Sequence, residues 1–281
     1  MSKTPSSTSA LAAAGLKYGY HSLSPIVNGL NMQVSPGEWL GIVGPNGSGK
    51  STVLRMLARL VSPQGGTVTM EGKDMAGMDT KAVARQMTML TQSQEGSLDI
   101  TVRELVRRGR NPHLKWYEEC RGKHEEVVDW ALNVTSMSDL HNRSLLELSG
   151  GERQRAWLAM CMAQTPRILL LDEPTTYLDI AHQLELMELI RELNREQGIT
   201  VVMVLHDLNQ AARYCDRIIA MKQGAIVREG TPTDVFRVDF FREVFGIEAK
   251  VYLDDGVPVY LPCGIVQDKQ KPTAAAAAAA I

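Results

Sequence analysis

The 281-residue chain is poor in aromatics, at 5%, and has only four cysteines. Cys120, Cys161, Cys215 and Cys263 stand far apart, with no CxxC or CxH pair. That spacing excludes a cysteine-based metal site. A disulfide framework is not expected in a chain of this size, so a reducing, cytoplasmic compartment is the default. No apolar run approaches the roughly 18 residues of a spanning helix. The longest, Ile168–Leu171 and Val201–Leu205, are strand-sized. Charge of one sign is lacking too: 30 basic against 32 acidic residues leave a net charge of -2. Such a balance offers no electrostatic footprint for nucleic acid or an anionic membrane. Met1–Ala10 lacks the charged-then-apolar order of a secretory signal, and no repeat of solenoid period occurs.

The 44% hydrophobic share is enough for a sizeable core. Residues 1–14 read as a flexible terminus and 15–265 as the folded domain, and 266–281 as a low-complexity tail containing seven alanines. Within the domain, apolar strand-sized runs alternate with amphipathic ones. Strands are expected at Glu38–Val43, Arg167–Leu171 and Ile199–Leu205, and helices at Lys50–Leu60, Asp179–Gln197 and Asp207–Tyr214. Such units predict an α/β core with a mixed, largely parallel sheet. Hairpins are expected around Gln223-Gly224 and Asp255-Gly256. Between about 93 and 165 helical patterns take over, predicting an inserted helical subdomain. One helix opens with the capping-box spacing Thr101-Val-Arg-Glu104. Its arginines, Arg103, Arg107, Arg108 and Arg110, read as a solvated face.

Three motifs carry chemistry. Gly44-Pro45-Asn46-Gly47-Ser48-Gly49-Lys50-Ser51 matches GxxxxGK[ST] between a predicted strand and a predicted helix. Glycines let successive amides turn inward on phosphate oxygens, and the helix start adds partial positive charge. Lys50 would reach the β- and γ-phosphates, and Ser51 would offer a hydroxyl to Mg²⁺. The second motif, Ile168–Glu173, is an apolar strand delivering two carboxylates at its C-terminal end, where open α/β sheets bind ligands. Asp172 suits Mg²⁺, and Glu173 suits polarising a water. The third, Leu148-Ser149-Gly150-Gly151-Glu152-Arg153-Gln154, has capping-box spacing and two glycines at a helix start. It is a second anion-binding end that a simple P-loop kinase does not need.

GPNGSGKST at Gly44–Thr52, LSGGERQ at Leu148–Gln154 and ILLLDEPTTYLD at Ile168–Asp179 together resemble the ATPase subunit of an ABC transporter, from about Leu16 to Pro262. The resemblance implies further roles. Gln92 matches the Q-loop glutamine that senses Mg²⁺ and water, Asp179 the D-loop aspartate at a dimer contact, and His206 the switch histidine at the γ-phosphate. Tyr20 matches the adenine-stacking aromatic, on an early strand with Leu16 and Tyr18, and Tyr18 is the alternative. Glu152 stands where the family commonly has glutamine, and Thr176-Tyr177 replaces a small pair at the D-loop.

The family pattern implies ATP and Mg²⁺ as ligands and a head-to-tail homodimer, in which the signature at Ser149–Glu152 closes on ATP held by another subunit. It also implies a separate integral-membrane permease contacting the region near Gln92 and Gly96–Trp116, a periplasmic or surface substrate-binding protein as an indirect partner, and a peripheral place on the cytoplasmic face of the inner membrane. The segments Thr101–His113, Arg153–Met160, Asp172–His182 and Leu205–Ala211 resemble importers of iron siderophores and cobalamin, with a ferric enterobactin-like chelate as the expected cargo. Haem or cobalamin import remains an alternative cargo, and a non-transport ABC ATPase of the iron–sulfur assembly type an alternative function.

Overall fold

A computed structural model describes residues 9–19, 25–91 and 99–266. The chain runs β1 (Leu11–Tyr18), β2 (Val27–Val34), β3 (Trp39–Val43), α1 (Lys50–Leu57), β4 (Gly65–Met70), β5 (Lys73–Asp74), α2 (Thr80–Ala84) and β6 (Met87–Leu90). Then follow α3 (Val102–Arg108), α4 (Lys123–Val134), α5 (Gly150–Ala163), β7 (Ile168–Asp172), α6 (Ile180–Gln197), β8 (Thr200–Val204) and α7 (Leu208–Tyr214). The chain closes with the antiparallel pairs β9 (Arg217–Lys222) with β10 (Ala225–Gly230), and β11 (Ile247–Asp254) with β12 (Val257–Ile265).

The central sheet has the order β10-β9-β3-β8-β7-β6, parallel except for β10. Strands β3, β7 and β8 are buried along their whole length, which explains their unbroken apolar sequence. Their alternate residues feed two clusters. Leu169 and Leu171 point to one with α5, α6 and α7, and Ile168 and Leu170 to one with α1 and a second sheet. That second sheet, β2-β1-β4-β5, is antiparallel.

The N-terminal boundary needs correcting. Leu11–Ala14, expected in the flexible terminus, belong to β1, with Leu11 and Ala13 buried and Ala10 N–H bonded to Val34 O at 2.8 Å. Small residues in low-complexity order still fit a strand flanked on both sides by others. Residues 1–8 and the alanine-rich tail from 267 lie outside the described residues.

Helices α3, α4 and α5 pack on one another between β6 and β7. The arginines of α3 are only partly a solvated face. Arg103 pairs with Glu125 at 3.0 Å and Asp129 at 2.6 Å of α4, Arg107 pairs with Glu125 at 2.6 Å, and Arg108 is exposed. Arg110 is buried and donates to Ala163 O at the end of α5 at 2.5 Å. That bond satisfies a carbonyl at a helix end which the helix itself cannot.

Candidate active site

Strand β3 delivers the chain into the glycine-rich loop, and Gly49 caps α1 with a left-handed backbone at φ 98°. A Cβ at Gly44 would come within 2.2 Å of Met221 O, and one at Gly49 within 2.8 Å of Ile26 O. Only glycine lets the loop curl this tightly. The Lys50 ammonium is buried and donates to Gly44 O at 2.9 Å and Pro45 O at 3.1 Å. Burial lowers its pKa, opposed by the charges of Glu173 and Asp172. The loop is held from outside as well, since Gly224, in the β9–β10 turn, donates to Ser48 O at 3.1 Å.

Ser51, in the first turn of α1, donates to Asp172 Oδ1 at 2.7 Å. Burial pushes the Asp172 carboxyl above its ordinary range, and Glu173 adds to this against the pull of Ser51. Asp172 Oδ2 and Ser48 Oγ are buried with no hydrogen-bond partner among the described residues. A hydroxyl beside a buried carboxylate with an oxygen to spare is a hard-oxygen donor set of the kind Mg²⁺ takes, so these residues fit the ion. Glu173 follows at a left-handed φ of 53°, a strained conformation of the kind found at functional sites. Its Oε1 lies 2.6 Å from His206 Nε2, just past the end of β8.

One cleft of about 460 Å³ joins these groups, lined by Asn46, Gly47, Gly49, Lys50, Ser51, Thr52, Glu173 and His206, with Ile26 on its wall. The loop, helix, carboxylate and histidine named from sequence thus meet, with Asp172 behind Ser51. Tyr18 instead packs partly buried on the apolar cluster beneath the second sheet. Tyr20 and Gln92 lie outside the described residues.

The signature segment does not line this cleft. Ser149 Oγ accepts from Glu152 N–H at 3.3 Å, and Glu152 Oε2 accepts from Ser149 N–H at 2.8 Å, completing the expected capping box. The Ser149 backbone amide and its hydroxyl hold the Glu152 carboxyl below the usual range. The amides of Gly150 and Gly151 have no acceptor within the helix. Gly151 backs onto His182, where a Cβ would fall 2.6 Å from the ring Cδ2. His182 in turn meets Asp179 Oδ1 through its backbone N–H at 2.9 Å and through Nδ1 at 2.8 Å. Tyr177, the bulky D-loop residue, is 92% exposed and displaces nothing in the core. The packing of Gly151 on His182, and the hydrogen bonds of Gln183 and Gln210, had no signal in the sequence.

Residues 27–176 match the family described as ABC transporter. The chain belongs to that family. It is 46% identical over 242 residues to the petrobactin import ATP-binding protein FpuC of Bacillus anthracis, covering 86% of this chain and 89% of that one. It is 42% identical to the ferric enterobactin transport ATP-binding protein FepC of Escherichia coli, covering 92% and 96%. Among solved structures, a bacterial ABC transporter cassette in dimeric form superposes with a TM-score of 0.68 at 29% identity, covering 79% and 98%. The chain is an ATP-hydrolysing ABC cassette. Among its described residues, no helix is long and apolar enough to cross a membrane.

Proposed function

We propose that this ABC ATPase powers import of an iron chelate of the ferric siderophore class. It works as a homodimer on the cytoplasmic face of the inner membrane, docked on separate permease subunits that a periplasmic or surface substrate-binding protein supplies. The names of its petrobactin and enterobactin relatives support the cargo. The observation that carries the dimer is the separation of half-sites: the cleft holds Lys50, Glu173 and His206, while the signature glycines lie outside it on the same chain. A second copy turned head-to-tail closes both sites at once.

In the closed pair, amides of Gly44–Ser51 and the Lys50 ammonium bind the β- and γ-phosphates, while Ser149, Gly150, Gly151 and Glu152 of the partner copy cover the γ-phosphate. Ser51 and Asp172 hold Mg²⁺, with Gln92 as a further ligand, and the ion offsets phosphate charge when bound. Tyr20, or Tyr18 in its place, stacks on adenine. Glu173 takes a proton from the water that attacks the γ-phosphorus as the bond to the β-phosphate oxygen breaks, and His206 stabilises the charge that develops. Asp179 contributes to the dimer contact. Release of phosphate removes the link between the two copies, and they part.

The test is affinity purification of tagged Glu173→Gln protein from detergent-solubilised native membranes in ATP. Recovery of a many-helix permease with two copies of this chain is the expected result. The associated binding protein should then take ferric siderophores in preference to haem or cobalamin. Recovery of soluble partners alone would overturn the importer reading in favour of an assembly-type ATPase.

A further inference from the structure

The turn after Glu173 and the helix after His206 are joined by two side-chain amides, that of Gln183 half-buried and that of Gln210 buried. Gln183, on the first turns of α6, donates from Nε2 to Leu178 O at 2.9 Å. Gln210, on α7, donates from Nε2 to Gln183 Oε1 at 2.7 Å. The orientation is forced by chemistry. A backbone carbonyl can only accept, so Gln183 must turn its NH₂ to Leu178 and its oxygen to Gln210.

These bonds close a ring around the reacting groups. From Glu173 the chain folds through two hydrogen-bonded turns, Thr176 N–H to Glu173 O at 3.2 Å and Leu178 N–H to Thr175 O at 3.3 Å. Gln183 and Gln210 carry the connection across to α7. There the Gln210 backbone N–H donates to Asp207 Oδ1 at 3.1 Å, beside His206, whose Nε2 returns to Glu173. Gln210 is 9% exposed, and its Oε1 is buried with no hydrogen-bond partner among the described residues. An apolar side chain of the same length would avoid that desolvation cost, so packing alone does not account for an amide here.

We propose that Gln183 and Gln210 are a positioning pair, setting the separation of Glu173 and His206 by tying the D-loop turn to the switch helix. The inference rests on the reading of Glu173 and His206 as the base and its charge-stabilising partner. The pair does not line the cleft, and acts through the backbone on which those two residues stand.

Full-length Gln183→Met, Gln210→Met and the double variant keep side-chain length and remove the amides. Each single change should lower kcat about tenfold while KM for ATP stays within about twofold, because misplaced catalytic groups cost rate more than binding. The double variant should be no slower than either single, as members of one unit are not additive. Gln183→Glu, which keeps the acceptor for Gln210 but loses the donor to Leu178 O, should be as slow as Gln183→Met. Melting temperatures should hold. Unchanged kcat, defects that multiply in the double variant, or activity lost in step with folded protein would each overturn the proposal. Glu173→Gln run alongside separates the two readings. If it retains turnover, the assignment of Glu173 falls. If it loses turnover while the glutamine variants are fast, the positioning pair falls alone.

Discussion

His206 Nε2 stands 2.6 Å from Glu173 Oε1, within hydrogen-bonding distance, so the switch histidine and the carboxylate after β7 are directly coupled. Replacing Glu173 with glutamine keeps the size and removes the proposed base. Turnover should fall by about 10²-fold or more while ATP binding persists, measured as phosphate release against nucleotide affinity. His206→Ala should lower kcat on a similar scale.

Asp172 carries a cost that its replacement would reveal. Its folded-state pKa is raised by burial, so the native form holds its proton longer than the unfolded chain does. Stability therefore falls as pH rises from the ordinary carboxylate range near 4 through the higher folded-state value. Asp172→Asn should raise the melting temperature of the nucleotide-free protein by about 2–4 °C, on the order of 1 kcal/mol, and flatten that pH dependence. The same variant should lose stabilisation by Mg²⁺ with ATP. Thermal melts across pH, with and without the ligands, check both.

At the signature, Glu152 works as a cap through an acceptor oxygen. Glu152→Gln keeps that acceptor and should cost less than about 0.5 kcal/mol, whereas Glu152→Ala should cost about 1 kcal/mol. The Glu152 pKa is depressed, so its contribution is present above the ordinary glutamate value and lost as pH falls through the lower folded value. Exposure to solvent keeps the effect small. Urea melts at neutral and acid pH would show the wild-type protein losing the increment and the glutamine variant keeping it.

Gly151 tests the contact between the signature helix and α6. A methyl group there falls 2.6 Å from the His182 ring, which would have to leave Asp179. Gly151→Ala should destabilise the protein by about 1–3 kcal/mol, as overpacking does. Adding His182→Ala should restore part of that loss, since the two changes share one space. Differential scanning calorimetry of the single and double variants measures the recovery.

The parts of the site legible in the sequence are those whose cause is local. The phosphate loop announces itself because its glycines, lysine and serine are contiguous. Strand β7 does so because both faces are covered, leaving a run of apolar residues that stops at Asp172. Capping boxes at Thr101 and Ser149 are contained within four residues and were readable for the same reason. Arg110 was not, because its acceptor, Ala163 O, lies 53 residues away and carries no sequence signal. The strand at Leu11–Ala14 was masked by small residues whose strand character comes from β2 and β4 on either side. Gln183 and Gln210 are ordinary helix residues until α6 and α7 are placed side by side.

The alternation of β7 has a mechanical consequence. Ile168 and Leu170 face the α1 side, Leu169 and Leu171 the opposite side, and Asp172 continues the first series onto Ser51. The strand acts as a graduated scale, with hydrophobic teeth on both edges and a carboxylate at its last mark. Both clusters grip it, so it cannot slide by one residue without putting every tooth in the wrong slot. Deleting one leucine from β7 while holding the register at Ile168 would bring Glu173 to the mark now held by Asp172. The acid beside Ser51 is thus selected by greasy side chains several residues upstream.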